Sequence, residues 1–274
     1  MKKNIEELKK VAQQVRKDIV MMLTESGSGH PGGSLSAVEV LTTLYFNEMN
    51  VNPEDARNSN RDRFVLSKGH AAPVLYSTLA RKGYFDVAEL KKLRKLGSIL
   101  QGHPNMNEVP GVDMSTGSLG QGISAAVGMA IAGKLDKKDY RVYTLLGDGE
   151  LEEGEVWEAS MAAAQYKLDN LTAFVDYNGL QIDGPCKDVM SAEPIADKFV
   201  AFGWNVLEVD GHSFEELIDA IEKAKTVKEK PTMIVCKTIK GKGVSFMENQ
   251  VGWHGNAPSM EQCEQALKEI GGEE

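Results

Sequence analysis

The 274-residue sequence predicts an α/β fold, a mostly parallel sheet with helices on both faces. Three observations predict it. The apolar runs YRVYTLLG (140–147), LTAFVDY (171–177), WNVLEVD (204–210) and TMIVCK (232–237) alternate with amphipathic stretches near 153–167, 192–202 and 213–228. Strands that are apolar throughout are buried on both sides, as parallel sheets are. Each run also ends in a polar, glycine-bearing tip, namely GDGE, DYNG, VDGH or KTIKGKG. In such sheets ligands bind at the carboxyl ends of the strands. Finally, no internal repeat, low-complexity tract or linker interrupts residues 1–274, so the chain reads as a single domain.

In chain order, residues 4–24 place Leu8, Val11, Val15 and Ile19 on one helical face. ESGSGHPGG then breaks that helix as a glycine-rich loop, and a second helix is expected from Ser36 to Glu48. RFVLSK (63–68) reads as a short buried strand, and GHAAPVLYSTLARKGY as the loop and helix after it. AELKKLRKL reads as a basic amphipathic helix with a solvated face. GHPNMNEVPGVDMSTGSLGQG (102–122) is long and irregular, and loops of that length inside a domain are usually functional. A helix of small residues follows over 121–134. Its GMAIAGKL is not a phosphate-binding loop, because Leu135 stands where Ser or Thr is required and no strand precedes it.

The formal net charge of −9 and the lack of a basic stripe argue against a nucleic-acid partner. An anionic ligand would need a cation or local donors. Cys186, Cys236 and Cys263 are scattered without a CxxC pair, which predicts a reducing, cytoplasmic setting and no cysteine metal site. No apolar run approaches the ~20 residues of a membrane span, so no membrane partner is expected.

The candidate site begins at GDG (147–149), directly after one apolar run, and at Asn178, directly after the next. A carboxylate from Asp148 and a carboxamide oxygen from Asn178 could meet one hard cation, while Gly147 and Gly149 leave room for a phosphate. Magnesium favours such a set of few protein oxygens completed by ligand phosphates and water. His30, His70, His103 and His254 each adjoin a glycine, which suggests convergence on one polar pocket suited to proton handling. His212 reads only as a helix-start residue.

With these residues in place, the chain resembles transketolase. SGHPGGSLS, DRFVLSKGHA, GHP, STGSLGQGIS, GDGELEEGEVWEA, NGLQIDG and WHGNAP match in order, over about residues 10–265. The resemblance implies thiamine diphosphate held through magnesium, with calcium or manganese as substitutes. It implies Asp148, Asn178 and the Leu180 carbonyl as metal ligands. His70, Gly149, Asn178 and His254 would contact the diphosphate, Gly117, Ser118 and Leu119 would lie along the cofactor, and Ile182 and Ile239 would flank the thiazolium. His30, His103 and His254 would face sugar hydroxyls and assist proton transfer. Glu153 and Glu158 would lie where a second copy of the chain docks. Ser118 stands where single-chain transketolases usually carry Pro. Only the first, diphosphate-binding domain of such an enzyme is matched. The resemblance therefore implies one subunit of a split, two-plus-two transketolase whose partner chain bears the pyrimidine-binding and carboxy-terminal domains. Sugar phosphates of the pentose phosphate pathway are the expected substrates. The alternatives are a deoxyxylulose-phosphate-synthase-like or unusual-sugar enzyme, or a noncatalytic paralogue.

Overall fold

The computed structural model describes residues 4–271. The outermost parts of the charged start and of the carboxy-terminal GGEE, residues 1–3 and 272–274, lie outside them, as do the two ends of the expected 1–274 domain. Five strands form one all-parallel sheet: β1 (Arg63–Leu66), β2 (Val142–Gly147), β3 (Leu171–Tyr177), β6 (Asn205–Asp210) and β7 (Thr232–Lys237). Their spatial order is β1-β2-β3-β7-β6, so the chain skips one place to lay down β6 and returns to fill the gap with β7. A two-residue hairpin, β4 (Leu180–Gln181) and β5 (Gly184–Pro185), stands apart and has no counterpart among the expected strands.

Side-chain alternation divides the core in two, as period-2 geometry requires. Phe64, Tyr143, Leu145, Phe174 and Ile234 point to one face. There they meet α1 (Ile5–Ser26), α3 (Val38–Thr43), α4 (Ala72–Lys82) and α9 (Phe214–Thr226). Val65, Val142, Leu171, Ala173, Val175 and Val235 point to the other face and meet α5 (Gln121–Leu135), α6 (Gly154–Gln165) and α8 (Ile195–Ala201). The expected doubly covered parallel sheet is therefore the observed one. Helix α1 starts with a reciprocal capping box between Asn4 and Glu7 and ends at Gly27 in the left-handed region. A single turn, α7 (Cys186–Val189), follows the hairpin, and α10 (Met260–Glu269) joins the first core through Cys263 and Ala266.

Two local expectations are corrected. The glycine-rich segment is not all loop: Pro31 opens a short helix, α2 (Pro31–Leu35), and the expected helix over 36–48 is α3 followed by a π turn over Leu44–Glu48. Pro is pre-set for the first helical position, which is why a helix can begin inside that segment. AELKKLRKL forms only a 3-10 stretch, Val87–Lys92, after which Arg94 takes a φ of 59° that stops any helix. Among the described residues, no helix is long and apolar enough to cross a membrane.

Close packing brings the strand tips together. A Cβ on Gly122, at the start of α5, would lie 2.5 Å from the Ser67 Cα beyond β1. A Cβ on Gly69 would lie 2.8 Å from the Gly117 nitrogen. Only glycine lets these backbones approach so closely.

Candidate functional site

All five strands end on one side of the sheet, and their tips supply the site. Gly147 of β2 is in register with Asp176 of β3, so Asp148 and Asn178 emerge from adjacent strands. Asp148 is 5% exposed. Its carboxylate accepts from the Gly149 N–H at 2.9 Å and the Gly179 N–H at 2.5 Å. Burial and the nearby Asp176 push its pKa up to about 6 despite those two donors. A carboxylate raised in this way gains from a cation beside it.

Asp176 is the hub beneath. It is fully buried and pairs with the buried Lys68 ammonium beyond β1. It also accepts from Ser36 Oγ at 2.5 Å, Thr238 Oγ1 beyond β7, and Asn178 Nδ2 at 3.2 Å. Burial alone would raise its pKa, but the Lys68 charge and these donors hold it below the usual value. Glu150 performs a similar task on the other side. Its buried carboxylate accepts from the Gly120 N–H at 2.9 Å, the Gly147 N–H at 3.0 Å and Ser67 Oγ, and burial raises its pKa.

The cavity above this floor has a volume of about 290 Å³. Of the residues singled out from sequence, His30, His70, His254, Gly117, Leu119, Asp148, Gly149, Asn178, Leu180 and Ile182 line it. Ser118, His103 and Ile239 do not, although the His103 ring lies 3.1 Å from where a Gly117 Cβ would stand. Glu153 and Glu158 are exposed and do not line the cavity. Three histidines pack against one another, with ring centroids 5.3 Å apart for His30–His70, 5.5 Å for His30–His254 and 5.4 Å for His70–His254. Burial, joined by nearby cationic groups, lowers His30 to about 4 and His254 to about 3, and takes His70 well below its ordinary value. All three are neutral near pH 7. His30 Nδ1 is buried without a partner.

Lys68, Asp176, Glu150 and Lys240 are site residues that sequence reasoning missed. Lys240, 2% exposed, donates to the Leu180 carbonyl at 2.8 Å and faces His254 Nδ1 at 2.8 Å. Burial lowers its pKa to about 8, so it is mostly charged at neutral pH. The KTIKGKG tip carried the only signal, a lysine among glycines at a strand end. Arg94, expected on a solvated face, instead donates to Ser28 Oγ at 2.9 Å beside the site. After burial, its charge is the next cause that lowers His30 and His103.

The donor set suits a hard cation only with help. No group of three or more His, Cys, Asp or Glu side chains forms a metal cluster among the described residues. Asp148, the Asn178 carboxamide and the Leu180 carbonyl offer oxygens, and a carbonyl keeps a second lone pair when it accepts from one ammonium. The remaining positions would come from an anionic ligand, and the ammonium-bearing Lys68 and Lys240 line the same cavity. An oxygen-rich anion with a divalent cation fits this arrangement better than either alone.

Comparison with known proteins agrees with the geometry. Residues 8–274 match the family model described as transketolase, thiamine diphosphate binding domain. The chain is 46% identical to one of the subunits of the apulose-4-phosphate transketolase of Phocaeicola vulgatus, over 97% of this chain and 94% of that one. It is also 46% identical to 6-deoxy-6-sulfo-D-fructose transketolase subunit SqwG of Clostridium sp., over 96% of each. Among solved structures, transketolase from Campylobacter jejuni superposes with a TM-score of 0.93 at 36% identity, covering 98% of this chain but 43% of that one.

Proposed function

The chain belongs to the transketolase family through its thiamine diphosphate binding domain, and on that premise we propose that it is one subunit of a two-chain transketolase. The single observation that carries this reading is the convergence of Asp148, Asn178, Lys240 and three neutral histidines on one cavity at the carboxyl ends of the strands. The full-length similarity to two proteins named as transketolase subunits supports the two-chain form.

Asp148, Asn178 and the Leu180 carbonyl would hold magnesium, and the Gly149 N–H, His70, His254 and Lys240 would meet the diphosphate. Thiamine diphosphate, when bound, supplies the carbanion chemistry that breaks and remakes a carbon–carbon bond. This chain's work is to orient and to manage protons. His30 and His254, neutral at pH 7, can donate to or accept from sugar hydroxyls as either tautomer. His103, on the rim, would contact the same sugar. Gly117, Ser118 and Leu119 would run beside the cofactor, with Ile182 and Ile239 against its thiazolium. The partner chain would complete the site over the open side of the cavity. A second copy of this chain would dock at Glu153 and Glu158, giving a two-plus-two assembly.

The pentose phosphates expected from the general resemblance have less support than an uncommon sugar. Three relatives of matching length are named, two for apulose 4-phosphate and one for 6-deoxy-6-sulfofructose, each a sugar with an anionic group. We therefore favour an unusual anionic ketose as donor or product. Nothing in the cavity favours the deoxyxylulose-phosphate-synthase-like or noncatalytic readings.

Isothermal calorimetry tests the core of this proposal. The wild-type chain is expected to bind thiamine diphosphate in the presence of magnesium. Asp148→Ala is expected to abolish the magnesium-dependent part while leaving the melting curve close to wild type. Unchanged affinity in that variant would remove Asp148 from the metal site.

A further inference from the structure

Three polar side chains that do not line the cavity have no part in the mechanism above: the buried Arg16 in α1, the buried Glu39 in α3 and the half-buried His212 just before α9. Glu39 is 6% exposed. Its carboxylate accepts from Arg16 Nη2 at 2.8 Å and lies 2.9 Å from His212 Nδ1. The other nitrogen of His212, Nε2, receives the Ile239 N–H at 2.9 Å. An N–H can donate only to an unprotonated ring nitrogen, so Nδ1 carries the proton and donates to Glu39. Arg16 reaches the same segment from the other end, its Nε donating to the Lys242 carbonyl at 3.1 Å. Between these anchors, the Gly241 N–H donates to the Gly32 carbonyl at 3.0 Å.

One carboxylate thus holds both ends of the turn 239–242 through two different side chains. The residue inside the turn is Lys240, whose ammonium stands over the Leu180 carbonyl and beside His254. His212, which the sequence presented only as a helix-start residue, is an orienting side chain two steps removed from the cavity.

We propose that Arg16, Glu39 and His212 form a clamp that positions Lys240 for the anionic tail of the cofactor. The proposal rests on the cofactor-binding reading above. It assigns the three residues a positioning role, exerted through Lys240 and not by contact with substrate. The physical reason is that a buried lysine has a long, rotamer-rich side chain, and its head is placed only as well as its backbone is held. A carboxylate that fixes the tautomer and orientation of a histidine is a recurrent supporting device around metal sites, where its loss costs about 10–100-fold in metal affinity or activity, and the Glu39–His212 pair applies the same device to a backbone turn.

The test uses the full chain with His212→Asn, His212→Gln, Lys240→Met and the double variant His212→Asn/Lys240→Met. Two readouts are taken: hydrogen–deuterium exchange over 238–243, and affinity for thiamine diphosphate with magnesium by calorimetry. His212→Asn is expected to speed exchange at that turn while the other strand tips keep wild-type rates, and to weaken cofactor binding by about 10-fold. His212→Gln, whose carboxamide oxygen can take the place of Nε2 as acceptor, should recover most of both. In the Lys240→Met background, adding His212→Asn should change affinity less than about 2-fold, because the group the clamp acts through is gone. Unchanged exchange at the turn, a uniform rise in exchange over the whole chain, or losses that simply multiply in the double variant would each overturn the clamp. If the wild-type chain binds no cofactor, the functional reading fails, and the exchange data still judge the clamp on their own.

Discussion

His30, His70 and His254 crowd within about 5.5 Å of one another, and two lysines stand nearby, which makes a charged imidazole costly at each position. The consequence is measurable by ring-resolved NMR titration of the chain. His30 and His254 are expected to stay neutral as pH falls through 6.5 and to protonate only near about 4 and about 3. The sign follows from burial, which penalises the charged form and so lowers a histidine's pKa. A midpoint near 6.5 for either ring would show that it is solvated and would break the proton-handling role assigned to it. Much of this scale was legible in the sequence, since four histidines in glycine-bearing segments spread over the chain suggested convergence on one polar pocket. The buried ion pair Lys68–Asp176 was not. Lys and Asp are ordinarily solvated, and only the folded sheet reveals that these two residues, 108 positions apart, are paired. Glu150 escaped for the same reason, because its partners lie in three separate segments.

At the scale of elements, the strand runs and the amphipathic helices behind them were readable because burial writes a period into sequence. The segments after Gly29 and Val87 were not, because a short helix opened by proline and a 3-10 stretch ended by a left-handed Arg94 leave no such period. The fit of α5 against the β1 tip is the sharpest element-level constraint. A Gly122→Ala methyl would lie 2.5 Å from a backbone carbon that cannot swing aside. Overpacking of this kind costs about 1–3 kcal/mol. Chemical denaturation is expected to show that loss, with cofactor affinity also falling because α5 leads out of the Gly117–Leu119 loop. A variant as stable as wild type would mean that the helix slides freely at this contact.

For the whole molecule, the residues that line the cavity include Ile182, 63% exposed on the β4–β5 hairpin. The purified chain is expected to show no two-carbon transfer between sugars, and addition of the partner chain is expected to restore it. Full transfer by the chain alone would falsify the two-chain reading. The parallel register also has a consequence for how such a site can change over evolutionary time. Asp176 and Asn178 sit two positions apart, at the end of β3 and just beyond it, and therefore face the same way. One bolts the strand tips together and the other offers an oxygen to the candidate metal site. A single-residue insertion or deletion within β3 would turn both away at once and present Tyr177 in their place. Support and grip are thus inherited as one unit, because a shift of register in this strand loses both together.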